Sequence, residues 1–206
     1  MASASGPDEI GGLIASSDGP RPARVFVALQ IAPEIADELG RMARALERLP
    51  VRLVAPADIH LTLVPPWNEG SIPDAVGKLR RVADRFGDFT LKFGHVGYGP
   101  EPRRPRFVWA ECVAGPDLSQ LRAQLLLAFE QTDERPFRPH VTLARLRGNG
   151  ATIARKCPFD RDLALAQHVG SVELMQSPPP GESGYKVLAS PLFGANSEFS
   201  AGARDL

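Results

Sequence analysis

The sequence has few of the residues that carry redox, metal or membrane functions. It contains 2 cysteines and 4 histidines among 206 residues, and its formal net charge is zero. Cys112 and Cys157 lack the spacing of a zinc site or a disulfide framework, and they suit a reducing compartment, the cytoplasm. No apolar run reaches the roughly 20 residues that span a membrane. With zero net charge, the protein has no overall positive potential that would attract long nucleic acids. Any nucleic-acid binding therefore needs a local site.

Composition along the chain predicts one folded domain with two loose ends. Residues 1–22 are rich in Gly, Ser, Ala and Pro without the basic start and apolar run of a secretory signal, and we expect a disordered leader. Residues 195–206 are expected to form a loose tail. Residues 23–194 show no linker or composition shift, which predicts a single domain. We expect the protein to be a monomer.

Hydrophobic periodicity predicts alternating strands and helices. The strands are expected at residues 24–31, 51–54, 59–64, 89–93, 107–113, within 163–175 and at 185–189, with another strand following Pro139. Amphipathic helices are expected after Pro33, near residues 72–86 and near residues 118–129. Each half reads as strand, helix and strands, which indicates an internal duplication. Because proline cannot donate a ladder hydrogen bond, Pro65 and Pro66 are expected to end the strand before them.

One tetrapeptide occurs in both halves: HLTL at residues 60–63 and HVTL at residues 140–143. The polar–apolar alternation is typical of a half-buried strand, so His60 and Thr62 point to one face, as do His140 and Thr142. Two strands then each offer an imidazole and a hydroxyl to one cleft. The repeated context disfavours two unrelated surface histidines, whereas His95 and His168 are interpreted as structural or surface residues, with nothing to pair with His95.

This set of groups suits the cleavage of a cyclic phosphodiester without a metal ion or cofactor. One imidazole must be neutral to take a proton from water, and the other must be charged to protonate the departing sugar oxygen. Histidine has an ordinary pKa near 6.5, so both states are reachable at neutral pH. Thr62 and Thr142 can donate hydrogen bonds to the phosphate oxygens, although threonine is also simply a good strand former.

The sequence resembles the 2H phosphoesterase superfamily, in particular the bacterial RNA 2′,3′-cyclic phosphodiesterases, also called 2′-5′ RNA ligases. The resemblance spans residues 24–193, and it rests on five segments: RVFVAL (24–29), HLTL (60–63), RPRFVWA (104–110), RPFRPHVTLAR (135–145) and YKVL (185–188). It implies an α+β, bilobal, pseudo-twofold fold, with antiparallel sheets lining a central cleft and helices packed outside. It also implies hydrolysis of RNA 2′,3′-cyclic phosphate ends to 2′-phosphate ends.

Carried over to matching positions, the resemblance makes His60 the proton donor to the 3′ oxygen and His140 the base that activates water. Thr62 and Thr142 hold the phosphate. The chain departs from the family after the first motif, where VPPW (64–67) replaces a Phe-Leu-Gly-like segment, which changes the rim of the cleft and leaves the substrate open. Trp67 there is expected either to stack on a base or to pack on the scaffold.

Two arginines are further candidates for substrate binding. Arg138 is as readily a solvated rim charge as a phosphate contact. Arg145 lies three residues beyond Thr142, which places it on the opposite face of the strand unless a bend intervenes.

Two alternative functions stay open at this point. The same chemistry could act on a small cyclic nucleotide or ADP-ribose cyclic phosphate. A non-catalytic nucleotide- or RNA-end-binding module is the other alternative, although both histidines and both threonines are present.

Overall fold

The computed structural model describes residues 22–101, 103–180 and 182–194. Apart from residue 22, the expected leader and tail lie outside the described residues. The strands are β1 (Ala23–Gln30), β2 (Val51–Leu53), β3 (His60–Glu69), β4 (Phe89–Gly99), β5 (Phe107–Val113), β6 (His140–Leu146), β7 (Arg161–Val169), β8 (Glu173–Gln176) and β9 (Lys186–Ala189). The helices are α1 (Pro33–Ala43), α2 (Ile72–Ala83), α3 (Pro116–Ala128) and α4 (Gly150–Lys156).

All of these strands belong to one antiparallel sheet in the order β7-β4-β5-β6-β3-β1-β8-β9, with β2 paired to β6. The two motif strands, β3 and β6, are neighbours at the centre of the sheet, and their ladder consists of the pair Leu61↔Val141. Each is flanked on its outer side by an equivalent strand, β1 for β3 and β5 for β6. The expected fold class is therefore confirmed, with the two halves joined into a single sheet.

Strand β1 shows why the helices cover one face of the sheet and leave the other to the site. Val25, Val27 and Leu29 belong to the main core, which also contains the apolar faces of α1, α2 and α3. Phe26 and Ala28 alternate with them, point to the opposite face and join a smaller cluster that includes Met175. The three larger helices begin with proline in their first turn, where a missing N–H costs nothing.

The prediction that Pro65 and Pro66 end the motif strand is wrong, because β3 continues to Glu69. Between the pairs Val27↔Val64 and Val25↔Trp67, β3 has one more residue than β1, so the prolines lie in a bulge. A bulge leaves a residue without a ladder bond, which removes the penalty for a missing N–H. The strand therefore bends at the prolines instead of stopping.

Other differences from the predicted elements are smaller. Strand β4 runs on from the predicted residues 89–93 to Gly99 through a register shift at Phe93/His95, and the short helix α4 was not predicted. Its N-cap residue, Asn149, accepts a hydrogen bond from the backbone N–H of Thr152, which is the sequence signal that was available.

Both cysteines are free thiols in the folded chain. Cys112 is buried in β5, and burial raises the pKa of its thiol to about 12. A thiol that stays protonated at neutral pH is a poor nucleophile and a poor metal ligand, so Cys112 acts as a small apolar core residue.

Candidate active site

Each motif strand carries a bulge directly after its threonine. In β3, the pairs Ala28↔Thr62 and Val27↔Val64 leave Leu63 as an extra residue relative to β1. The bulge makes Leu63 and Val64 both point into the core, where each is about 1% exposed or less. The alternation restarts after the bulge, so the residue that follows Val64 returns to the face of His60 and Thr62.

The second motif repeats this irregularity at the equivalent place. In β6, the pairs Trp109↔Thr142 and Val108↔Ala144 leave Leu143 as the extra residue relative to β5. Leu143 and Ala144 are both fully buried, and the alternation restarts at Arg145. The bulge is therefore the bend that the sequence left open, and it returns Arg145 to the face of Thr142.

The two motifs line one open cleft. Five predicted site residues meet there, and three further residues that the sequence did not assign join them. The lining residues are Val54, Asp58, His60, Thr62, His140, Thr142, Arg145 and Tyr185. The cleft is thus built from the ends of separate strands, which the chain brings together only on folding.

The register across the centre of the sheet sets each histidine beside the threonine of the other motif. Leu61 pairs with Val141 in an antiparallel ladder. Neighbouring positions therefore place His60 across from Thr142, and Thr62 across from His140, on the cleft face. A group bound at the centre of the cleft is met by imidazole and hydroxyl from both sides.

Both imidazoles are held by the same backbone contact. The Nδ1 atom of His60 lies 2.7 Å from the carbonyl oxygen of Asp58, and Nδ1 of His140 lies 2.7 Å from the carbonyl oxygen of Arg138. A carbonyl can only accept, so in each ring Nδ1 carries a hydrogen and donates it. Nε2 is then the atom of each ring that gains or loses the exchangeable proton.

Aromatic rings enclose the two histidines differently. His60 lies against Phe26 and Tyr185, with ring centroids 4.9 Å apart in both cases. His140 packs on the single ring of Trp109 at 4.3 Å. These rings restrict the imidazoles and keep water from one side of each.

Burial lowers the pKa of His60 below its ordinary value. The hydrogen bond to the Asp58 carbonyl and the Asp58 charge act in the opposite direction, while the nearby positive charge of Arg145 lowers the pKa further. His60 is therefore mostly neutral at neutral pH when the cleft holds no anion.

Burial also lowers the pKa of His140. Its hydrogen bond to the Arg138 carbonyl and the charge of Glu111 raise the pKa in part, and Arg135 lowers it. Glu111 is the cross-strand partner of His140, so its carboxylate is on the same face of the sheet. A bound phosphate would favour the charged form of both imidazoles.

Tyr185 and Asp58 are site residues that the sequence did not identify. The backbone N–H of Tyr185 donates to the Asp58 carboxylate at 3.0 Å, and this bond ties the segment before β9 to the turn that orients His60. Asp58 could have been found as the residue two positions before the histidine, which is Arg138 in the second motif. Tyr185 is far from both motifs in sequence, and the YKVL segment gave it no role.

The remaining sequence candidates lie outside the cleft lining. Trp67 packs on Phe129, with ring centroids 4.9 Å apart, and its indole N–H donates to Glu69 at 3.0 Å, which matches the scaffold alternative. Arg138 is exposed, and its guanidinium donates to the carbonyl oxygen of Pro100 at 3.2 Å. Its main contribution to the site is the backbone carbonyl that holds His140.

The two other histidines pair with carboxylates at the surface. His95 lies 3.5 Å from Asp160 and 3.5 Å from Asp162, so the expectation that nothing pairs with it is wrong. Asp162 is the direct cross-strand partner of His95 in β7, so the two side chains lie on the same face of the sheet. His168 lies 3.0 Å from Asp88.

Within the described ranges, no three side chains of the ligating types are grouped so that they could hold a metal ion. No helix in the part of the chain that the structure describes is long and apolar enough to cross a membrane.

Two histidines and two threonines, on neighbouring strands of a duplicated antiparallel sheet, define a two-histidine phosphoesterase. The sequence profile of the 2′-5′ RNA ligase superfamily matches residues 32–177. The chain belongs to this family, the 2H phosphoesterases, and it is a hydrolase of the cyclic phosphodiesterase type.

Individual relatives agree with this assignment. An RNA 2′,3′-cyclic phosphodiesterase of Bacillus subtilis is 31% identical over 127 residues, which cover 58% of the chain and 69% of the relative. A protein of the same name from Aeropyrum pernix is 32% identical over 147 residues, covering 66% and 79%. Escherichia coli LigT in complex with 3′-AMP superposes with a TM-score of 0.66 at 25% identity, covering 84% of the chain and 98% of LigT. A Thermus thermophilus protein at 24% identity shares the fold, with a TM-score of 0.69 over 84% of the chain and 99% of its own.

Proposed function

We propose that this chain hydrolyses 2′,3′-cyclic phosphate at RNA ends to a 2′-phosphate, without a metal ion. The observation that supports the proposal is one cleft lined by two imidazoles, each with Nδ1 fixed on a carbonyl, and by two threonine hydroxyls. The names of the relatives from Bacillus subtilis and Aeropyrum pernix point to RNA as the substrate.

In the proposed reaction, Nε2 of His140 takes a proton from a water molecule while the water oxygen bonds to phosphorus. The bond between phosphorus and the 3′ oxygen breaks, and Nε2 of His60 gives its proton to that oxygen. The attacking and leaving oxygens must be in line, which requires the two imidazoles on opposite sides of phosphorus. The roles of His60 and His140 follow the resemblance to the family, and the placement on separate strands supports them.

Thr62 and Thr142 are proposed to donate hydrogen bonds to the non-bridging oxygens. Charge builds on these oxygens in the transition state, so donors already in position stabilise it more than the ground state. Arg145 supplies positive charge at the same face and is proposed to attract the anionic RNA end to the cleft.

The test is an assay on an oligoribonucleotide with a cyclic phosphate end. We expect hydrolysis that EDTA does not change, and we expect His60→Ala and His140→Ala to lose it. His168→Ala is the matched control, because its exposed ring lies outside the cleft and pairs with Asp88. Loss of activity in EDTA, or activity that survives both cleft substitutions, would overturn the proposal.

The same assay separates the alternatives. Faster turnover of a cyclic mononucleotide or of ADP-ribose cyclic phosphate than of the oligonucleotide would make a small cyclic nucleotide the substrate. Tight binding of the oligonucleotide with no turnover would make the protein a binding module.

We further propose that the enzyme works as a monomer in the cytoplasm. The expectation of a monomer follows from the single folded domain of the sequence, and both cysteines are free, which suits a reducing compartment. A mass twice that of the chain by light scattering would contradict the first statement.

A further inference from the structure

A row of three side chains crosses the sheet beside the cleft, with one residue on each of three neighbouring strands. Arg145 pairs with Arg52 of β2 on one side and with Phe107 of β5 on the other. Directly paired residues of an antiparallel sheet lie on the same face. Since Arg145 lines the cleft, Arg52 and Phe107 lie on the cleft face beside it.

The two arginines of this row carry charge that the chain does not neutralise. Like charges at directly paired positions repel, because their Cβ atoms are only about 5 Å apart. Among the described residues, no carboxylate lies within ion-pair distance of Arg52 or Arg145. A bound anion between the guanidinium groups would turn this repulsion into two attractions.

The ring of Phe107 holds one of these charges in place. The guanidinium carbon of Arg145 lies 5.4 Å from the ring centroid, and that of Arg106 lies 5.6 Å away. Contact with the ring restrains a guanidinium while its N–H groups stay free to donate. Phe107 lies on the side of Arg145 away from Arg52, so Arg145 is restrained beside the cleft before any ligand arrives.

We propose that Arg52 and Arg145 bind the phosphodiester on the 5′ side of the terminal nucleotide, with Phe107 positioning Arg145. The inference rests on the proposed function, because the terminal cyclic phosphate occupies the cleft while the chain of the RNA leaves along the row. The two arginines recognise the backbone and not the base, so the subsite is indifferent to sequence. It selects an RNA end over a mononucleotide, which has no such phosphodiester.

The first test compares a dinucleotide and a mononucleotide, both ending in 2′,3′-cyclic phosphate. The ratio of kcat/KM for the dinucleotide to that for the mononucleotide is expected to fall about tenfold in Arg52→Gln, as for the loss of one charge-assisted contact. Arg52→Lys should recover part of the ratio, since it restores the charge without the fork. Arg81→Gln is the matched control, an exposed arginine of α2 with the same change of charge, and should keep the ratio of the unchanged chain.

A binding experiment keeps this inference separate from the catalytic one. Fluorescence anisotropy of a labelled short oligoribonucleotide with a 2′-phosphate end gives the affinity at several salt concentrations. Arg52→Gln should reduce the slope of log K against log salt by about 0.7, the loss of one phosphate contact on a single strand. If neither cyclic substrate is hydrolysed but the slope changes, the proposed function fails and the subsite stands. An unchanged ratio and slope in Arg52→Gln, or equal changes in Arg81→Gln, would overturn the subsite.

Discussion

The two motif strands are nearly the same in backbone and differ in the side chains around them. Both hold a histidine by its Nδ1 on the carbonyl two residues earlier, and both bulge after the threonine. The position across from the histidine is Gln30 in the first half and Glu111 in the second. The first position after the buried pair of the bulge is Pro65 in the first half and Arg145 in the second.

This difference shows how a duplicated fold can give its two histidines different pKa values. The shared backbone places two imidazoles around one centre, while the added charges act on each ring differently. Arg145 lowers the pKa of His60, and Glu111 raises the pKa of His140. Each ring also has a neighbouring charge of the opposite effect, because Asp58 raises the pKa of His60 and Arg135 lowers the pKa of His140. Burial lowers the pKa of both rings, whereas the proposed reaction needs a proton on His60 before the chemical step. An enzyme can work through such a minor protonation state, because the bound phosphate shifts both equilibria.

The largest expected effect comes from removing either histidine. His60→Ala and His140→Ala should each lower kcat by about 10²–10⁴-fold, the usual contribution of a positioned acid or base. The pH–rate profiles of the residual activities should differ. His60→Ala, which removes the acid, should lose the fall in rate at alkaline pH, and His140→Ala, which removes the base, should lose the fall in rate at acidic pH. The measurement is kcat from pH 5 to pH 9 on the cyclic substrate.

The assignment of roles depends on which limb disappears. If His60→Ala removes the acidic limb, the roles of the two histidines are the reverse of those proposed. Histidine at position 168 again serves as the control, since His168→Ala should keep both limbs.

The second expected effect tests whether the phosphate lies at the centre of the pseudo-symmetry. Thr62→Val and Thr142→Val should each lower kcat by about 10²-fold, because each removes one donor to the charged oxygens. Thr→Ser at the same positions keeps the hydroxyl and should retain most of the activity. Losses that differ by more than tenfold between the two valine variants would show that one half holds the phosphate alone.

The two motif strands could be predicted from the sequence, because period-two alternation is a local signal, and the fold class was implied by the resemblance to the 2H phosphoesterases. The position of Arg145 could not, since it depends on a bulge relative to β5. A weak signal exists in the adjacent apolar pairs Leu63-Val64 and Leu143-Ala144, which break the alternation in both halves. Tyr185 has no local signal at all, because it reaches His60 only through the tertiary fold.

The prediction that Pro65 and Pro66 end the strand was wrong for a related reason. The rule that proline ends a strand assumes that each N–H is needed in a ladder. At a bulge the N–H is not needed, so the error came from a β-bulge in β3, the same kind of irregularity that hid the position of Arg145 in β6.

A third, smaller effect tests the electrostatic difference between the halves directly. Arg145→Gln should raise the pKa of His60, because it removes a positive neighbour, and Glu111→Gln should lower the pKa of His140, because it removes a negative one. Titration of the imidazole signals by NMR gives both values. Each substitution should shift the histidine named more than the other one, and equal shifts of both would mean that the charges act on the cleft as a whole.

The smallest expected effect is on the stability of the fold. Burial lowers the pKa of both histidines in the folded chain, whereas the unfolded chain keeps an ordinary value near 6.5. As the pH drops below about 6.5, the unfolded state binds protons before the folded state does, so the free energy of unfolding falls. Once the pH is below the pKa values of the folded chain, both states are protonated and the free energy of unfolding falls no further. In buffer without phosphate, Tm should therefore rise between pH 5 and pH 7.

The two halves should contribute unequally to this slope. His60 is enclosed by Phe26 and Tyr185, while His140 has the one ring of Trp109, so His60→Gln should flatten the rise in Tm more than His140→Gln. His168→Gln, at a site exposed to solvent, corrects for the general effect of losing a histidine. A larger flattening of the Tm curve by His140→Gln would contradict this expectation. It would mean that neither Glu111 nor the lack of a second enclosing ring stabilises the charged form of His140 in the folded chain. The difference between the halves would then lie in the charges around the two rings, Asp58 and Arg145 at His60 and Arg135 at His140, and not in the aromatic enclosure.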